Sequence, residues 1–571
     1  MDPVALTNFA DVLCISKPSH IKLSADLKRS LNSSVTANKG GNYHTHVVKL
    51  KTRTLSSSQS LCDTQSLSVK ENTTPGTEEW VHFIGIGGNG LSALAFYALK
   101  KGWHVTGSDI TASKKLDDLQ KAGAIVYIGH HESQICGKDS CRLPDYVVFS
   151  SAVPEDNVEL TYARKCGLKT LKRGPWLAQT TYTHDLVAVS GSHGKSTTAA
   201  MLSIILREID PGVSSVVGAD IPQFPGGGSI ICGSGTTFIL EADEYDSCFL
   251  SLTPQLSLIL NIDWEHVDMF PDKKAVKKHF TEFCRRLKPG GTLIYCGESE
   301  SAHAVASEFM AQGKIPDDDA IGEVISYGLE DKNMWQAVMI KPNAYGGSDY
   351  LATYNGEVMT PVQIQLPGIH NVLNSLAAIA AAVVVASWKN TDDGKLLANI
   401  RKHISETAAR SLYSFQGVHR RLEFVGKLEN CHFYDDYAHH PTEISASLKA
   451  AREKFGNSSI WVIFQPQDYS RVSRLSKDFA VALAAADRVI VTQIYAARGK
   501  TAGGVSGQDI VDQIMGTSAL YIQSMDDVYV FLSAELSTLL SSGQKDTLVV
   551  ITMGTGSCTN LGPRLLQRFM S

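Results

Sequence analysis

Two glycine-rich segments constrain the fold of this 571-residue chain more than any other feature. Residues 85–90 follow the apolar run 80–84, residues 191–198 follow the apolar run 186–190, and a stretch of helical composition comes after each segment. A strand that turns through glycines into a helix presents free backbone N–H groups at the positive end of the helix dipole, where phosphate binds. The sequence therefore predicts an α/β chain with two separate sites for nucleotide phosphates.

The first glycine segment reads Gly-Ile-Gly-Gly-Asn-Gly and matches the pattern GxGxxG. Asp109 ends the next apolar run, nineteen residues after the last glycine, where a carboxylate that binds a ribose would lie. The alternative for Asp109 is an ordinary turn carboxylate at the end of a strand. The residues predicted to bind this nucleotide are Gly85, Gly87, Gly88, Gly90 and Asp109.

The second glycine segment reads Gly-Ser-His-Gly-Lys-Ser-Thr-Thr. It departs from the standard phosphate loop GxxxxGK[ST], because Val189 stands where the first glycine would be. Its last residues still provide backbone donors, a lysine for the β- and γ-phosphates and a hydroxyl for magnesium. The residues predicted to bind a nucleoside triphosphate here are Gly191, Ser192, His193, Gly194, Lys195, Ser196 and Thr197.

Two polar segments, Glu-Ala-Asp-Glu at 241–244 and Asn-Ile-Asp-Trp-Glu-His at 261–266, follow the next two apolar runs. The carboxyl ends of parallel strands lie at one edge of a sheet, and carboxylates beside a phosphate loop are typical magnesium ligands. Taken singly, an acidic loop or a lone histidine is usually structural. Because the pattern repeats after consecutive strands, we expect Glu241 and His266 to converge on Lys195.

The overall composition excludes several classes of protein. Hydrophobic residues make up 43% of the chain, and 53 basic against 58 acidic residues give a net charge of -5, so nucleic acid is not an expected partner. Eleven cysteines without a CxxC pair argue against a zinc site and for reduced thiols. The longest apolar run, 376–386, is shorter than the ~18–20 residues that cross a bilayer, so it predicts a buried helix and no membrane insertion.

The chain divides by pattern into a leader and three α/β blocks. Residues 1–77 form the leader, and its first 76 residues contain 20 Ser or Thr, nine Lys or Arg and five Asp or Glu. This hydroxyl-rich, basic composition resembles a transit peptide, with a plastid favoured over a mitochondrion or the cytoplasm; the alternative is a disordered tail without a targeting role. The blocks are 78–183, 184–412 and 413–571, and each alternates apolar runs with helical stretches.

Five segments in this order resemble the Mur ligases of peptidoglycan synthesis over about residues 80–565. They are the two polar segments and the second glycine segment described above, Leu-Pro-Gly-Ile-His-Asn-Val-Leu-Asn at 366–374, and Asp-Asp-Tyr-Ala-His-His-Pro-Thr-Glu at 435–443. The resemblance implies a Rossmann-like N-terminal domain that holds a UDP-sugar, a central phosphate-loop ATPase domain and a Rossmann-like C-terminal domain that holds an amino acid. A monomer or weak homo-oligomer is expected.

The activity that the resemblance implies is an ATP- and Mg²⁺-dependent amide ligation. ATP phosphorylates the lactyl carboxylate of UDP-N-acetylmuramate, and the amine of an amino acid, L-alanine by resemblance, attacks the acyl phosphate. The implied catalytic residues are Lys195, Glu241 and His266; magnesium would be held by Ser196 and Glu241, and a second ion by His266. The other implied contacts are Asn371 and Asn374 at adenine, Arg421 at phosphate, Asp436 at ribose, and His439 and Arg471 at the amino acid.

Several of these residues also have simpler interpretations. Without the resemblance, Asn371 and Asn374 would be assigned to helix capping and packing, and the pair Arg420 and Arg421 to a solvated strand start as readily as to phosphate.

The amino-acid segment departs from the family pattern. The family reads roughly Phe-Gln-Pro-His-Arg-Tyr-Thr-Arg, whereas this chain keeps the last arginine as Arg471 and has Asp468 in place of the first. An anion beside a substrate carboxylate reverses the sign of the interaction. Arg498 or Lys500 could restore the lost charge. We hypothesise intact phosphoryl transfer, and the identity of the amino acid stays open.

Two other functions compete with a ligase. A catalytically altered, nucleotide-binding relative with a regulatory role or another amine substrate is favoured by three C-terminal departures from the family pattern, at Asp468, at 496–500 and at 554–557. The retained Lys195, Glu241 and His266 argue against it. A nicotinamide oxidoreductase would use the first glycine segment and leave the second without a role.

Overall fold

The computed structural model describes residues 79–136, 142–312, 322–388, 394–496, 504–541 and 546–570, which belong to one compact unit. The predicted leader, Arg498 and Lys500 lie outside the described residues. Each of the three sheets described below falls inside one of the predicted blocks. The last helix of the central block ends at Tyr413, one residue beyond the expected boundary.

The first sheet has five parallel strands in the order β3-β2-β1-β4-β5. The strands are β1 (Trp80–Ile84), β2 (His104–Asp109), β3 (Ile125–Ile128), β4 (Tyr146–Phe149) and β5 (Thr170–Lys172). The helices are α1 (Asn89–Lys100), α2 (Lys114–Lys121), α3 (Val158–Lys165) and α4 (Arg173–Thr181). All five residues of β1 are buried, as expected for a central parallel strand covered on both faces. The strand order reverses between β1 and β4, which places a ligand crevice at the end of β1.

The central sheet has ten strands in the order β15-β14-β13-β12-β11-β10-β6-β9-β7-β8. Its strands are β6 (Asp185–Ser190), β7 (Ser214–Val216), β8 (Ile230–Ile231), β9 (Thr237–Glu241), β10 (Leu256–Ile259), β11 (Thr292–Cys296), β12 (Val324–Gly328), β13 (Trp335–Pro342), β14 (Ser348–Tyr354) and β15 (Glu357–Ile364). Its helices are α5 (Lys195–Ile209), α6 (Lys273–Cys284), α7 (Glu300–Gln312), α8 (Ile369–Ser387) and α9 (Gly394–Tyr413). The strands from β9 through β6 to β12 pair in parallel, whereas β13, β14 and β15 form an antiparallel extension that is not predicted from the sequence.

Helix α8 contains the longest apolar run and lies in the core of the central block. By length and composition alone its 19 residues could cross a membrane. The side chains from Leu376 to Ala382 are completely buried and pack with the strands of the sheet and with α5 and α9. The helix is therefore a core element, as its apolar run predicts.

The third sheet has six strands in the order β16-β17-β21-β18-β19-β20, parallel except for the pair β16 and β17. The strands are β16 (Glu423–Leu428), β17 (Cys431–Asp436), β18 (Ser459–Gln465), β19 (Arg488–Val491), β20 (Ser518–Tyr521) and β21 (Leu548–Gly554). The helices are α10 (Pro441–Phe455), α11 (Tyr469–Leu483), α12 (Gln508–Val511), α13 (Met525–Ser541) and α14 (Leu561–Met570). Helices pack against both faces of the sheet, so this block is doubly wound, as predicted.

Candidate active site

The first glycine loop joins β1 to α1 and is held by the end of β2. The backbone N–H of Gly87 donates to Oδ2 of Asp109 at 2.8 Å, and the N–H of Gly85, where φ is +81°, donates to the carbonyl oxygen of Ser108. A Cβ on Gly87 would lie 2.9 Å from the Asp109 carboxylate, so this close approach requires glycine. Asp109 thus shapes the loop, which is compatible with the alternative of a turn carboxylate, and its second oxygen accepts the N–H of Ile110 at 2.8 Å.

The second glycine loop joins β6 to α5 with two glycines in left-handed backbone conformations. Gly191 has φ +131° and Gly194 has φ +84°, a region that side chains rarely adopt. A Cβ on Gly191 would lie 3.0 Å from the carbonyl oxygen of Asn261, so the loop packs directly against the segment that follows β10. Nδ2 of Asn261 in turn donates to the carbonyl oxygen of His193 at 2.9 Å. The second glycine loop and the polar segment that follows β10 are therefore one structural unit.

Lys195 begins α5, and its ammonium lies among the carboxylates that follow β9. Nζ donates to the carbonyl oxygen of Gly191 at 2.7 Å and to Oε2 of Glu244 at 3.0 Å. Burial alone would lower the pKa of Lys195, but the carboxylates of Glu244, Asp243 and Glu241 raise it. The lysine is therefore a cation in the folded protein, and it meets the first polar segment at the sheet edge where the sequence predicts it.

Ser196 and Glu241 form a pair of adjacent oxygen ligands beside this lysine. Oγ of Ser196 donates to Oε1 of Glu241 at 3.1 Å, and Oε2 of Glu241 accepts the N–H of Gly218 at 2.6 Å. A hydroxyl and a carboxylate that already lie within one coordination sphere of each other fit a hard divalent cation such as Mg²⁺. The residues predicted to hold magnesium are thus brought together.

His266 follows β10 and reaches the same edge. Its Nε2 lies 3.5 Å from Oε1 of Glu244 and 3.9 Å from Oδ1 of Asp243, and the ligand atoms of these three side chains lie within 4.8 Å of one another. Burial alone would lower the pKa of His266, but the hydrogen bond with Glu244 and its charge raise it. One imidazole and two carboxylates can hold a second divalent cation.

A cavity of about 550 Å³ opens beside the second glycine loop and has walls from the central and third blocks. Its walls include His193, Gly194, Thr197, Asn371, Asn374, Arg421 and Asp436. The predicted residues Gly191, Ser192, Lys195 and Ser196 adjoin these along the loop rather than in the wall. The volume suits a ligand of nucleotide size.

The two asparagines of α8 are part of this wall. Nδ2 of Asn371 donates to the carbonyl oxygen of Pro367 at 2.8 Å, and Oδ1 of Asn374 lies against Gly194, where a Cβ would come within 2.6 Å. Packing is thus part of their role, as the simpler interpretation holds, whereas the N-cap of the helix is Gly368 and not one of these asparagines. Because both asparagines lie beside the phosphate loop, their side chains can also form hydrogen bonds with the base of a nucleotide.

Asp436 ends β17 in the wall of the cavity and is almost fully buried. Its oxygens accept hydrogen bonds from the N–H groups of Leu422 and Ala438 and from Oγ of Ser447, at 3.0, 2.7 and 2.9 Å. Burial raises the pKa of Asp436 to about 6, although the charge of Arg421 and these hydrogen bonds act in the opposite direction. The carboxyl group therefore titrates close to neutral pH.

Glu443, in the first turn of α10, joins the third block to the phosphate loop. Oε1 lies 3.4 Å from Nδ1 of His193 and 3.3 Å from Nη1 of Arg421, and Oε2 accepts the N–H of His439 at 3.1 Å. The Nε2 atom of His193 lies 3.2 Å from Oδ2 of Asp263. Burial alone would lower the pKa of His193, but these two carboxylates raise it to about 10. His193 is thus an imidazolium that links the two blocks.

Arg471 lies in the first turn of α11 and is buried against the central block. Its guanidinium forms an ion pair with Glu265 and donates through Nη1 to the carbonyl oxygen of His439 at 3.3 Å and to Oε1 of Gln467 at 3.2 Å. The two residues predicted to bind the amino acid are therefore in contact. Before it meets a substrate carboxylate, however, Arg471 is already paired with an anion.

Asp468 precedes α11 and has φ +57°, a left-handed conformation that aspartate tolerates better than most residues. It is 8% exposed, and its N–H donates to the carbonyl oxygen of Tyr495 at 3.0 Å. The anion that replaces the family arginine is thus built into the start of the helix that carries Arg471.

The trio His193, Glu265 and His440 also has ligand atoms within 4.8 Å of one another. Nδ1 of His440 accepts the N–H of Thr442 at 3.3 Å, so the neutral ring carries its hydrogen on Nε2, the atom that faces Glu265. Burial lowers the pKa of His440, which keeps the ring neutral. Because Nδ1 and Nε2 of His193 already pair with Glu443 and Asp263, which lie outside the trio, we interpret this cluster as a charged network between blocks rather than a metal site.

No sequence pattern predicts roles for Glu443, for Glu244 as the partner of Lys195, or for Arg173. Glu443 closes one of the segments that carry the resemblance, and Glu244 belongs to another. Their pairing with specific cations depends on contacts between blocks that no local pattern reveals.

The fold and the site define a class: an α/β chain in which a phosphate-loop domain lies between two doubly wound domains. Three family models match consecutive segments: the Mur ligase family catalytic domain over residues 80–184, the Mur ligase middle domain over 189–382 and the Mur ligase glutamate ligase domain over 420–556. The chain belongs to the Mur ligase family.

Individual relatives are similar over nearly their whole length. The UDP-N-acetylmuramate–L-alanine ligase of Frankia casuarinae is 37% identical over 505 residues, which cover 85% of this chain and 97% of that protein. The enzyme of the same name from Acetivibrio thermocellus is 35% identical over 500 residues, with 86% and 97% covered. The solved UDP-N-acetylmuramate-alanine ligase of Thermotoga maritima, 24% identical, superimposes with a TM-score of 0.66 over 86% of this chain and 99% of that one, and so shares the fold.

Proposed function

We propose that the protein is an ATP-dependent ligase that forms an amide bond between the lactyl carboxylate of UDP-N-acetylmuramate and L-alanine. The two curated relatives bear this activity in their names and are matched over 97% of their length. The observation that carries the proposal is the convergence of Lys195, Glu241 and His266 at one edge of the central sheet, beside a cavity of nucleotide size.

ATP would occupy the cavity and the adjoining glycine loop. By the family pattern the adenine lies at Asn371 and Asn374, the ribose at Asp436, and the phosphates at the loop and at Arg421. Lys195 would exchange its hydrogen bond to Glu244 for oxygens of the β- and γ-phosphates. A cation fixed at that position stabilises the charge that spreads over the oxygens of the transferring phosphoryl group.

Magnesium fits the oxygen pair of Ser196 and Glu241, and His266 with its two carboxylates fits a second ion. When bound, the ions would neutralise phosphate charge and screen the repulsion between ATP and the anionic acceptor. The residues of this chain contribute position: Gly218 holds the far oxygen of Glu241, so the near oxygen stays beside the serine hydroxyl.

The reaction has two bond exchanges. An oxygen of the lactyl carboxylate attacks the γ-phosphorus, the bond to the β-phosphate oxygen breaks, and ADP and an acyl phosphate result. The amine nitrogen then attacks the acyl carbon, the bond to the phosphate oxygen breaks, and inorganic phosphate and one proton leave. His439 and Arg471 lie where α10 and α11 of the third block meet Glu265, next to His266, which suits a site for the amine substrate.

The amine pocket differs from the family pattern. Asp468 brings a carboxylate where a cation is expected, and Arg471 has to leave Glu265, or share it, in order to bind a substrate carboxylate. Because both features oppose binding of an anion, we expect the Michaelis constant for L-alanine to be high relative to that of the bacterial enzymes. A panel of all proteinogenic amino acids would show whether another amine is preferred. An alanine constant equal to the bacterial one would show that the pocket is not altered.

The direct test is phosphate release by the full chain with ATP, Mg²⁺, UDP-N-acetylmuramate and each amino acid, together with mass spectrometry of the product. We expect phosphate release that requires both UDP-N-acetylmuramate and the amino acid. The product should be heavier than UDP-N-acetylmuramate by one alanyl residue. Lys195→Met should abolish it, whereas Lys332→Met, which changes an exposed lysine of the same block, should not. Phosphate release without dependence on UDP-N-acetylmuramate would contradict the proposal.

We also propose that the leader 1–77 directs the protein to the plastid stroma and that the enzyme acts as a monomer or weak homo-oligomer. The hydroxyl-rich, acid-poor composition of the leader supports the first part. A fluorescent protein fused to the C-terminal end of residues 1–77 should accumulate in plastids. The same fluorescent protein fused to the C-terminal end of residues 78–183 should not. Mitochondrial or cytosolic fluorescence would contradict the assignment, and sedimentation of the full chain measures its oligomeric state.

A further inference from the structure

Arg173 lies between the first glycine loop and the acidic segment that follows β9, and it is not part of either motif. It begins α4, directly after β5 of the first sheet. Its Nη2 donates to Oδ2 of Asp243 in the central block at 2.9 Å. On its other side the guanidinium lies against Gly90 in the first turn of α1, where a Cβ would come within 3.1 Å of Cδ and would overlap Nη1. One side chain therefore touches both the first glycine loop and the acidic segment.

The backbone around Arg173 is fixed by packing of α4 on the central block. A Cβ on Gly174 would lie 2.9 Å from the Cα and the carbonyl oxygen of Cys248, so the helix start touches that backbone directly. Trp176 and Leu177 follow and are buried. Because the helix start cannot move away and Asp243 fixes one end of the guanidinium, Nη1 is held at the loop.

We propose that Arg173 binds the pyrophosphate of the sugar nucleotide. This inference rests on the proposed function, because the ligand is the diphosphate of that substrate. The N-terminus of α1 offers backbone N–H groups but only a partial positive charge, whereas a diphosphate carries about two full negative charges. The guanidinium of Arg173 shares its charge with Asp243 at Nη2, but Nη1 at Gly90 still offers a cationic N–H donor in a planar arrangement that matches phosphate oxygens.

The position of the Arg173 guanidinium explains why residue 90 is a glycine. A side chain there would displace the guanidinium from the helix N-terminus, so the fingerprint glycine makes room for a cation as well as for the ligand. Asp243 keeps Arg173 oriented, and the same carboxylate lies 3.9 Å from Nε2 of His266. Asp243 therefore connects Arg173 to the proposed site of phosphoryl transfer.

Lys172 provides a matched comparison within the same chain. It precedes Arg173, carries the same charge and also pairs with a carboxylate of the central block, since its Nζ lies 3.3 Å from Oδ2 of Asp246. Lys172 is not among the nearest neighbours of a Cβ added at Gly85, Gly87, Gly88 or Gly90, whereas Arg173 is the nearest neighbour at Gly90. If charge near the loop were sufficient, both residues would contribute to binding, whereas the geometry assigns the contact to Arg173.

The test measures binding of UDP and of uridine to the full chain by isothermal titration and by displacement. Uridine has the base and the ribose of UDP but no phosphate, so a residue that binds phosphate acts on UDP alone. Removing a charge-assisted hydrogen bond typically weakens binding about 10- to 100-fold. We expect Arg173→Met to weaken UDP binding by that factor and to leave uridine binding unchanged, with Arg173→Lys intermediate and Lys172→Met like the unmodified protein.

Equal weakening of UDP and uridine by Arg173→Met would show a merely structural role and overturn the proposal, as would an equal effect of Lys172→Met. If Arg173→Met does not fold, as judged by circular dichroism, Asp243→Asn replaces it. This variant keeps the guanidinium of Arg173 but removes the carboxylate that orients it. We expect it to weaken UDP binding less than Arg173→Met does and to leave uridine binding unchanged; unchanged UDP binding would overturn the proposal. Failure of the proposed function is a separate result: the unmodified protein would bind UDP through Arg173 and yet form no amide.

Discussion

The titration of Asp436 offers a quantitative test of the nucleotide site. This carboxyl group lies in the wall of the cavity, and burial raises its pKa to about 6 from an ordinary 3.8. Three of its acceptor positions are taken by Leu422, Ala438 and Ser447. An ionised carboxylate offers about four such positions, so the remaining one can accept a ribose hydroxyl only when Asp436 has lost its proton.

The expected effect on binding follows from this pKa. At pH 8 almost every Asp436 side chain is ionised, whereas at pH 5 roughly one in eleven is. If the ionised form binds the ribose, affinity falls about elevenfold between pH 8 and pH 5, which corresponds to about 1.4 kcal/mol. A carboxyl group with the ordinary pKa would change affinity by less than about a tenth over the same range. The direction is fixed because the proton competes with the hydroxyl donor.

The same raised pKa affects stability with a defined sign. Between about pH 4 and pH 6 the unfolded chain has lost the proton that the folded chain still holds, so the free energy of unfolding falls as pH rises through this window. The contribution levels off above pH 6. Asp436→Asn removes this term, and the stability difference between variant and parent should therefore shift in favour of the variant as pH rises.

The assay is calorimetric titration of the full chain with adenosine at pH 5, 6, 7 and 8. Adenosine has no phosphate that titrates in this range, so the slope reports the protein. Asp436→Asn should bind with an affinity that is flat across this range, and Glu423→Gln, which changes another carboxylate of the cavity wall, should retain the slope. An unmodified protein without pH dependence, or a slope that persists in Asp436→Asn, would refute the reasoning.

Three further perturbations test other parts of the structure. Glu244→Gln removes the anion that pairs with Lys195 at 3.0 Å, and we expect the dissociation constant for ATP to fall roughly tenfold when it is measured by calorimetry without Mg²⁺, so that the loss of an ion ligand does not contribute; weaker binding would contradict this. Gly218→Ala brings a methyl group within 3.1 Å of the Glu241 carboxylate, so half-maximal phosphate release should need more Mg²⁺, while Gly228→Ala should have no effect. Phe283→Ala removes a fully buried ring stacked on Phe249, and urea denaturation should show a loss of about 3–5 kcal/mol; a loss below about 1 kcal/mol would contradict the assigned core.

Local patterns predicted the elements that carry the site. The strand at Trp80–Ile84 has the predicted bounds, and the loops that start α1 and α5 lie where their glycines predict them. Helix α5 begins at Lys195, earlier than its apolar pattern suggests, because the phosphate loop itself forms the first turn. Each of these features depends on residues that are close together along the chain, so it can be predicted from a single sequence.

The antiparallel strands β13 to β15 were not predicted, and their pattern explains why. They lie at the edge of the central sheet, and their residues alternate between buried and exposed only irregularly, with register shifts in both pairings. A strand in this position is stabilised by its partners in the sheet rather than by its own apolar run. The sequence therefore carries a weak signal for it.

The sequence alone determined the two phosphate loops, the acidic ends of β9 and β10 and the order of the three α/β blocks, because each is encoded within a few consecutive residues. Only the tertiary structure decided which charges meet: Lys195 with Glu244, His193 with Asp263 and Glu443, Arg471 with Glu265, and Arg173 with both Gly90 and Asp243. These partners come from separate strands and blocks, and a Coulomb interaction depends on distance in space and on burial, neither of which spacing along the chain specifies.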